Sequence, residues 1–586
     1  MPLAGIRSAA IVLAALVASP FAFATTVPPI GSEDVAIADP DIPPPPTEPC
    51  VVPLFDDFTF IGFDAQAFDY APPADCPGPW QKVVLRVDFD VTAGRQFDRT
   101  AEIWIGGSNL YFGTTQEPRA AVAPTWHIER DVTDYSPLFH AQQAGRVDLG
   151  NLVDDTYTGI IHGSASLAFY PAVSSVADHP PRPDVVRALA ADETGGTVTL
   201  ASPTDRLAVN FALPTNIRRA FLDVIAEAQG GDEFWYLCVP DDLADALFSC
   251  PGTGFREAEV TVDGILAGVA PIYPWIYTGG IDPGLWRPTP GIQTLAFEPY
   301  RVDLTPYAAW MSDGQPHEIA VSVFNAHDHF SATANLLLYL DHGATEVTGD
   351  LTSNTLGLPS YASENNISTA GDATTGTVTV TSARDFEISG FVDTSDGRVT
   401  TTVQQTIGFS NSQRFDIVGD ATYRQRLTQS TSIDTTTTVN TGVYDHVVTE
   451  HRDWPLAVDY GFYVVTDGSA AQTTAIEQGL NRTVEVGIAG YEPRSASLAQ
   501  SMTTTDTLLF DAGGNATGRT AQSSEQSYVY SDPYGACYSR TITTASGALT
   551  AVEDGVGCPD GNSLSWFDAF YMTGSSIFGA TVQILP

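Results

Sequence analysis

Apolar and polar residues alternate with a period of two along much of the chain. Between Phe97 and Gly107, Ala101, Ile103 and Ile105 fall on one face, Thr100, Glu102 and Trp104 on the other, and a Gly-Gly pair closes the run. That is the pattern of a half-buried β-strand. Similar strands are predicted at 83–91, 164–170, 376–381 and 403–407, with Gly, Pro and Asp turns around them. No sustained helical period competes, so an all-β fold is expected: two tandem jelly-roll or β-sandwich domains and a C-terminal β-rich domain.

An echo within the chain supports the tandem. Arg99-x-Ala101-Glu102-Ile103-x-Ile105-x-Gly107 matches Arg256-x-Ala258-Glu259-Val260-x-Val262-x-Gly264, 157 residues later. Asp131-Val132-Thr133-Asp134-Tyr135 likewise resembles Asp303-Leu304-Thr305-Pro306-Tyr307. Asp98 has no counterpart, because Phe255 stands in its place; a residue that breaks a structural repeat is a candidate for function. The expected boundaries are 50–180 and 181–343 for the two jelly rolls and 344–586 for the Thr- and Ser-rich C-terminal unit. Ahead of them, Arg7, the apolar run from Ala9 to Ala18 and Ala22-Phe23-Ala24 predict a signal peptide over 1–24. The Pro-rich stretch 25–49 is expected to be a linker that buries nothing.

Composition narrows the partners. The 586 residues carry 26 basic against 70 acidic side chains, a net charge of −44. Such a chain repels phosphate backbones and anionic lipid, so neither nucleic acid nor a membrane is an expected partner. The export signal places six cysteines in an oxidising compartment, periplasmic or extracellular. Their spacing suggests local disulfides, Cys50 with Cys76, Cys238 with Cys250 and Cys537 with Cys558. No zinc, serine-hydrolase, Walker or dinucleotide motif is present, and no metal or cofactor is expected. His327-Asp328-His329 is read as a loop rather than a metal site.

The candidate chemistry lies in carboxylates. Gly230-Gly231-Asp232-Glu233-Phe234-Trp235-Tyr236 sets acids beside aromatic rings, a combination that suits a sugar, whose CH faces stack on aromatics while acids bind hydroxyls. Asp154-Asp155-Thr156-Tyr157 repeats the theme more weakly. Trp286-Arg287, in a turn-rich stretch from Tyr277 to Pro288, suits a ligand-contacting loop. Hydrolysis by such a site needs a base for water and an acid for the leaving group. These residues serve an amidase, a carboxylate-dependent glycosidase or a non-catalytic glycan-binding protein equally well.

"FDRTAEIWIGG", "DEFWY", "FREAEVTVDG", "PIYPWIYTGGIDPGLWRP", "VDLTPY" and "CYSRTI" occur in that order. With these motifs the chain resembles the plant-type acidic peptide:N-glycosidases, the A type. The resemblance implies hydrolysis of the amide between asparagine and the innermost N-acetylglucosamine, leaving aspartate and a glycosylamine. Its substrates would be N-glycopeptides and denatured N-glycoproteins, and a monomer is expected. The smaller F-type amidases, built of two jelly rolls, carry their catalytic aspartate in a W-D-R stretch. Phe97-Asp98-Arg99 looks like that stretch, so Asp98 inherits the activation of water. Arg99 would keep Asp98 ionised and contact substrate. Glu233 matches a second family acid, with Glu257 as the fallback because it too departs from the repeat. Asp154 or Asp155 would match a third, and Trp235, Trp286 and Arg287 are the remaining substrate-binding candidates.

Overall fold

Eight strands build the first sandwich: β1 (Cys50–Phe60), β2 (Gln66–Tyr70), β3 (Trp80–Val91), β4 (Thr100–Ile105), β5 (Ser108–Thr114), β6 (Thr125–Asp131), β7 (Gln143–Leu149) and β8 (Ile161–Pro171). The computed structural model describes residues 27–172, 182–443, 445–488 and 493–566. The predicted signal peptide lies outside them. One sheet has the order β1-β8-β3-β6 and the other β2-β7-β4-β5, all neighbours antiparallel. This is a jelly roll. Ala101, Ile103 and Ile105 point into its core with Val83, Leu85 and Val87, as the alternation requires.

The second sandwich repeats the plan with β9 (Val185–Leu189), β10 (Val198–Leu200), β11 (Leu207–Ala212), β12 (Ile217–Gln229), β13 (Glu257–Val262), β14 (Ile265–Pro271), β15 (Tyr300–Asp303), β16 (Pro316–Phe324) and β17 (His329–Leu340). Its sheets run β10-β17-β12-β15, with β9 added on β17, and β11-β16-β13-β14. Strand for strand, β10 to β17 take the places of β1 to β8. The echo in sequence is also an echo in bonding. Asp131 accepts from the Thr133 N–H at 3.0 Å, and the Thr133 hydroxyl accepts from Val83 N–H; Asp303, Thr305 and Ala220 do the same at 2.9 and 3.3 Å.

From residue 348 onward the chain forms one antiparallel meander ordered by sequence, with strands as long as the 22 residues of Ala373–Thr394 and Gly397–Val418. It does not stand apart. Phe386, Phe409, Trp454 and Met502 share a hydrophobic cluster with Val260, Trp235 and Trp286 of the second sandwich. The Pro-rich segment also differs from its expected role. Ala36 and Ala38 are buried, Ala36 N–H reaches the Pro288 carbonyl at 3.2 Å, and Ala38 N–H reaches Gln526 at 2.7 Å. Small residues between the prolines let this stretch lie flat against the sheet and the second sandwich.

Antiparallel order in a jelly roll puts the connections β1–β2, β3–β4, β5–β6 and β7–β8 at one end of the first sandwich, and the corresponding four at one end of the second. The carboxylates of interest sit there.

Candidate active site

Asp98 lies on the β3–β4 connection and Glu117 on β5–β6; Glu233 lies on β12–β13, and Gly279 and Arg287 on β14–β15. The same two connections of each sandwich therefore supply the site. Two loops are zipped together to make it. Thr278 donates its hydroxyl to the Thr115 carbonyl at 2.7 Å and accepts the Glu117 N–H at 2.9 Å; Thr114 N–H reaches the Thr294 carbonyl at 2.9 Å.

Next to this zipper the Gly279 N–H donates to Asp98 Oδ2 at 3.0 Å. A β-carbon on Gly279 would stand 2.5 Å from Asp98 Oδ1 and 2.6 Å from Glu117 Oε2, so both carboxylates close on one glycine and a side chain there would push them away. Burial raises the pKa of Asp98 above the usual carboxylate range, opposed by the Gly279 N–H and by Arg99. The expectation that Arg99 keeps this acid fully ionised is thus only half the balance. Arg99 donates to Gln96 at 3.2 Å, while its buried Nε has no acceptor among the described residues.

Glu117 is buried, and its pKa is pushed up to about 7 by that burial and by the charge of Asp98, with Arg287 pulling the other way. Arg287 grips it twice, through Nε to the Glu117 carbonyl at 2.6 Å and through Nη2 to its carboxylate at 3.2 Å. Glu233 is raised to about 7 by burial and then by Asp98. Its position is set by its neighbours. Asp232, fully buried, pairs with Arg256 at 2.8 Å and accepts the N–H groups of His327, Asp328 and His329 at 2.9, 2.7 and 3.1 Å. The disulfide Cys238–Cys250 closes the same loop, and Cys50–Cys76 and Cys537–Cys558 are the other two. Burial, with the charge of Asp98 added to it, raises both Glu117 and Glu233 to about 7, so the trio retains a proton near neutrality.

Other candidates lie elsewhere. Glu257 is buried against Arg384 of the C-terminal sheet and Glu259, and none of the three site acids is among its charged neighbours. It is corrected to a structural ion pair. Trp235 and Trp286 are fully buried and offer no face to a sugar; Trp286 Nε1 instead holds the Gly280 carbonyl at 2.9 Å. Asp154 is spent on its own turn, accepting Thr156 and Tyr157 N–H at 2.7 and 2.8 Å, and Asp155 is exposed beside it. From that turn the Tyr157 ring lies 5.0 Å from that of Phe97. His327-Asp328-His329 is a loop running into the start of β17 and tied to Asp232, and no metal-ligating group of three or more exists among the described residues. Glu117 escaped sequence reading because nothing in Thr115-Gln116-Glu117-Pro118 marks it; the available signal was its place on the next connection at the same end as Asp98.

Comparison with known proteins adds a second line. A family model described as peptide N-acetyl-beta-D-glucosaminyl asparaginase amidase A matches residues 49–356. The peptide-N4-(N-acetyl-beta-glucosaminyl)asparagine amidase A of Prunus dulcis is 30% identical over 535 residues, 88% of this chain and 90% of the relative. Among solved structures, PNGF-II matches at 14% identity and TM-score 0.35, covering 50% of this chain and 66% of that one. PNGase F, a glycosylasparaginase from Flavobacterium meningosepticum, matches at 13% identity and TM-score 0.33, covering 50% and 96%. At TM-scores this low the jelly-roll assignment rests on strand order alone.

Proposed function

Given that the chain belongs to the peptide N-acetyl-beta-D-glucosaminyl asparaginase amidase A family, we propose that it hydrolyses the amide joining asparagine to N-acetylglucosamine, with the Asp98 site as its catalytic centre. The observation that carries the assignment is the closure of Asp98 and Glu117 on Gly279, with Glu233 held in the field of Asp98. Asp98 takes a proton from water, whose oxygen attacks the side-chain amide carbon. The C–N bond of the tetrahedral intermediate then breaks. Protonated Glu233, which no protein group among the described residues hydrogen-bonds, gives its proton to the departing glycosylamine nitrogen. The peptide keeps an aspartate, and the glycosylamine loses ammonia in water. Arg287 positions Glu117.

Substrates are N-glycopeptides and unfolded N-glycoproteins, because a carboxylate seated between two sandwiches requires the asparagine to reach inward. We further propose export to an oxidising compartment, which the three disulfides suit. The test is a defined N-glycopeptide analysed by mass. The expected outcome is release of intact glycan with conversion of asparagine to aspartate, and its loss in Asp98→Asn. A sugar left on asparagine would mark a glycosidase instead, and near wild-type release by Asp98→Asn would remove Asp98 from the centre.

A further inference from the structure

The β1–β2 and β7–β8 connections, at the same end of the first sandwich as Asp98, carry apolar side chains on their tips. Ile61 is 63% exposed, Phe63 72% and Leu152 37%. The two connections are locked to each other, Gly62 and Asn151 exchanging N–H and carbonyl at 2.7 Å in both directions. The Phe63 ring lies against Gly150, where a β-carbon would come within 2.7 Å of it. Large apolar groups on a rigid double tip are unfavourable in water, and a cluster of this kind marks a contact surface.

The tip is physically continuous with the site. Asn151, buried behind Gly62, accepts a hydrogen bond from Gln96, and Gln96 in turn accepts from Phe97 N–H at 2.7 Å and from Arg99 at 3.2 Å. The half-buried rings of Tyr157, on the β7–β8 connection, and Phe97, next to Asp98 in the chain, lie 5.0 Å apart. Hydrogen bonds and this ring contact thus link the connections of the tip to the residues on either side of Asp98. Exposed Asp64, Asp154 and Asp155 flank the tip.

We propose that Ile61, Phe63 and Leu152 bind the polypeptide flanking the glycosylated asparagine, selecting apolar flanks and disfavouring acidic ones. This rests on the amidase reading of the Asp98 site. The occupant follows from continuity. A glycosylated asparagine at Asp98 brings its own chain with it, and in an unfolded glycoprotein that chain exposes apolar side chains. The flanking acids repel a like-charged segment.

Two N-glycopeptides with the same glycan test this, one with Phe, Val and Leu around the asparagine and one with Gly and Ser. Binding is measured by calorimetry on the Asp98→Asn background, and turnover on the wild type. The apolar peptide is expected to bind about tenfold more tightly, as desolvation of one or two side chains implies. Phe63→Ser and Leu152→Ser are each expected to erase most of that preference while leaving kcat on the Gly/Ser peptide unchanged. Equal affinities for the two peptides, no binding of either, or a preference that survives both substitutions overturns the proposal. Failure of the amidase reading is distinguishable: the wild type would then release no glycan while the Phe63-dependent binding difference remained.

Discussion

Gly279 is the residue whose substitution says most about the site, because its missing side chain is what allows Asp98 and Glu117 to meet. Gly279→Ala forces both oxygens away, and displacements of that order cost roughly 10²-fold in rate. The expected outcome is a fall in kcat of that size with an unchanged circular dichroism spectrum; near wild-type turnover would mean the two carboxylates do not act at this glycine. The pH profile follows from the same geometry. Asp98 must be ionised, and its raised pKa moves the acid limb above the ordinary aspartate value. Glu233 must be protonated, so activity falls as pH rises through about 7. Glu233→Gln cannot donate a proton, and a loss of about 10²–10⁴-fold is expected; a variant that keeps its rate and its alkaline limb would move the donor to Glu117. Asp98 was legible in sequence because it breaks a repeat, and the structure gives the reason for the break. Phe255, its counterpart, is buried against Phe324 and Phe409, so the second sandwich uses this position for packing. Breaking the repeat was no guarantee, since Glu257 departs from it to pair with Arg384. Glu117 was not legible because its partners, Asp98, Thr278 and Arg287, are assembled through space by two sandwiches.

At the scale of elements, the connection between β14 and β15 carries Gly279 and Arg287 yet contains no strand, and its shape is imposed from outside. The C-terminal sheet does this with amides. In the strand Gly397–Val418 the odd positions from Thr401 to Ile417 are buried, and they mix Val403, Ile407 and Phe409 with Gln405, Asn411 and Gln413. A face so mixed reads as alternation but not as an apolar face, which is why the sequence showed strands without showing that they cover a second layer. Asn411 and Gln413 donate to the Tyr236 and Cys238 carbonyls of the β12–β13 connection, which would otherwise be buried unpaired, and Gln405 donates to the Tyr300 and Thr435 hydroxyls. Gln478 is the clearest case: it donates to the Pro274 carbonyl at 2.9 Å and accepts the Ile292 N–H at 3.1 Å, bracing both limbs of the connection. Arg519 adds a charged clamp, reaching Asp282 at 2.6 Å, whose carboxylate also accepts the Gly284 N–H at 2.9 Å. Gln478→Leu strands two buried polar groups, each costing about 1–3 kcal/mol. The expected result is a lower midpoint in urea together with a lower kcat, since the loop bearing Gly279 loosens. A variant that loses stability but keeps kcat would show that the brace and the site are independent.

Over the whole molecule, the acid-rich composition was legible from the start, but its placement was not, and placement decides how stability responds to pH. Several carboxyls are taken out of water without a matching cation. Glu102, between the two sandwiches, is raised to about 8 by burial and by Asp148; Asp39, on the Pro-rich segment, is raised to about 7 by burial and by Glu298. Glu227 is shifted upward by burial in the same sense. A carboxyl whose folded pKa lies above its unfolded value binds its proton more tightly in the folded state. Its contribution is complete below the unfolded pKa and is lost as pH rises through the folded one. Other carboxyls work in the opposite direction: burial would raise Glu450, but Arg452 and Arg482 bring it down to about 2, so its contribution disappears only in strong acid. The thermal midpoint should therefore be highest near about pH 4–6 and should fall between about pH 6 and 9. The net charge of −44 offers a competing cause, because repulsion among surface acids also opposes the compact state at high pH. Salt separates the two. Exposed charges are screened within about 3 Å at 1 M ionic strength, whereas buried groups are screened much less. If the buried carboxyls govern the decline, it persists at high salt and is reduced by Glu102→Gln, which keeps the shape and removes the titration. If high salt abolishes the decline, surface repulsion is its source and the buried acids are not.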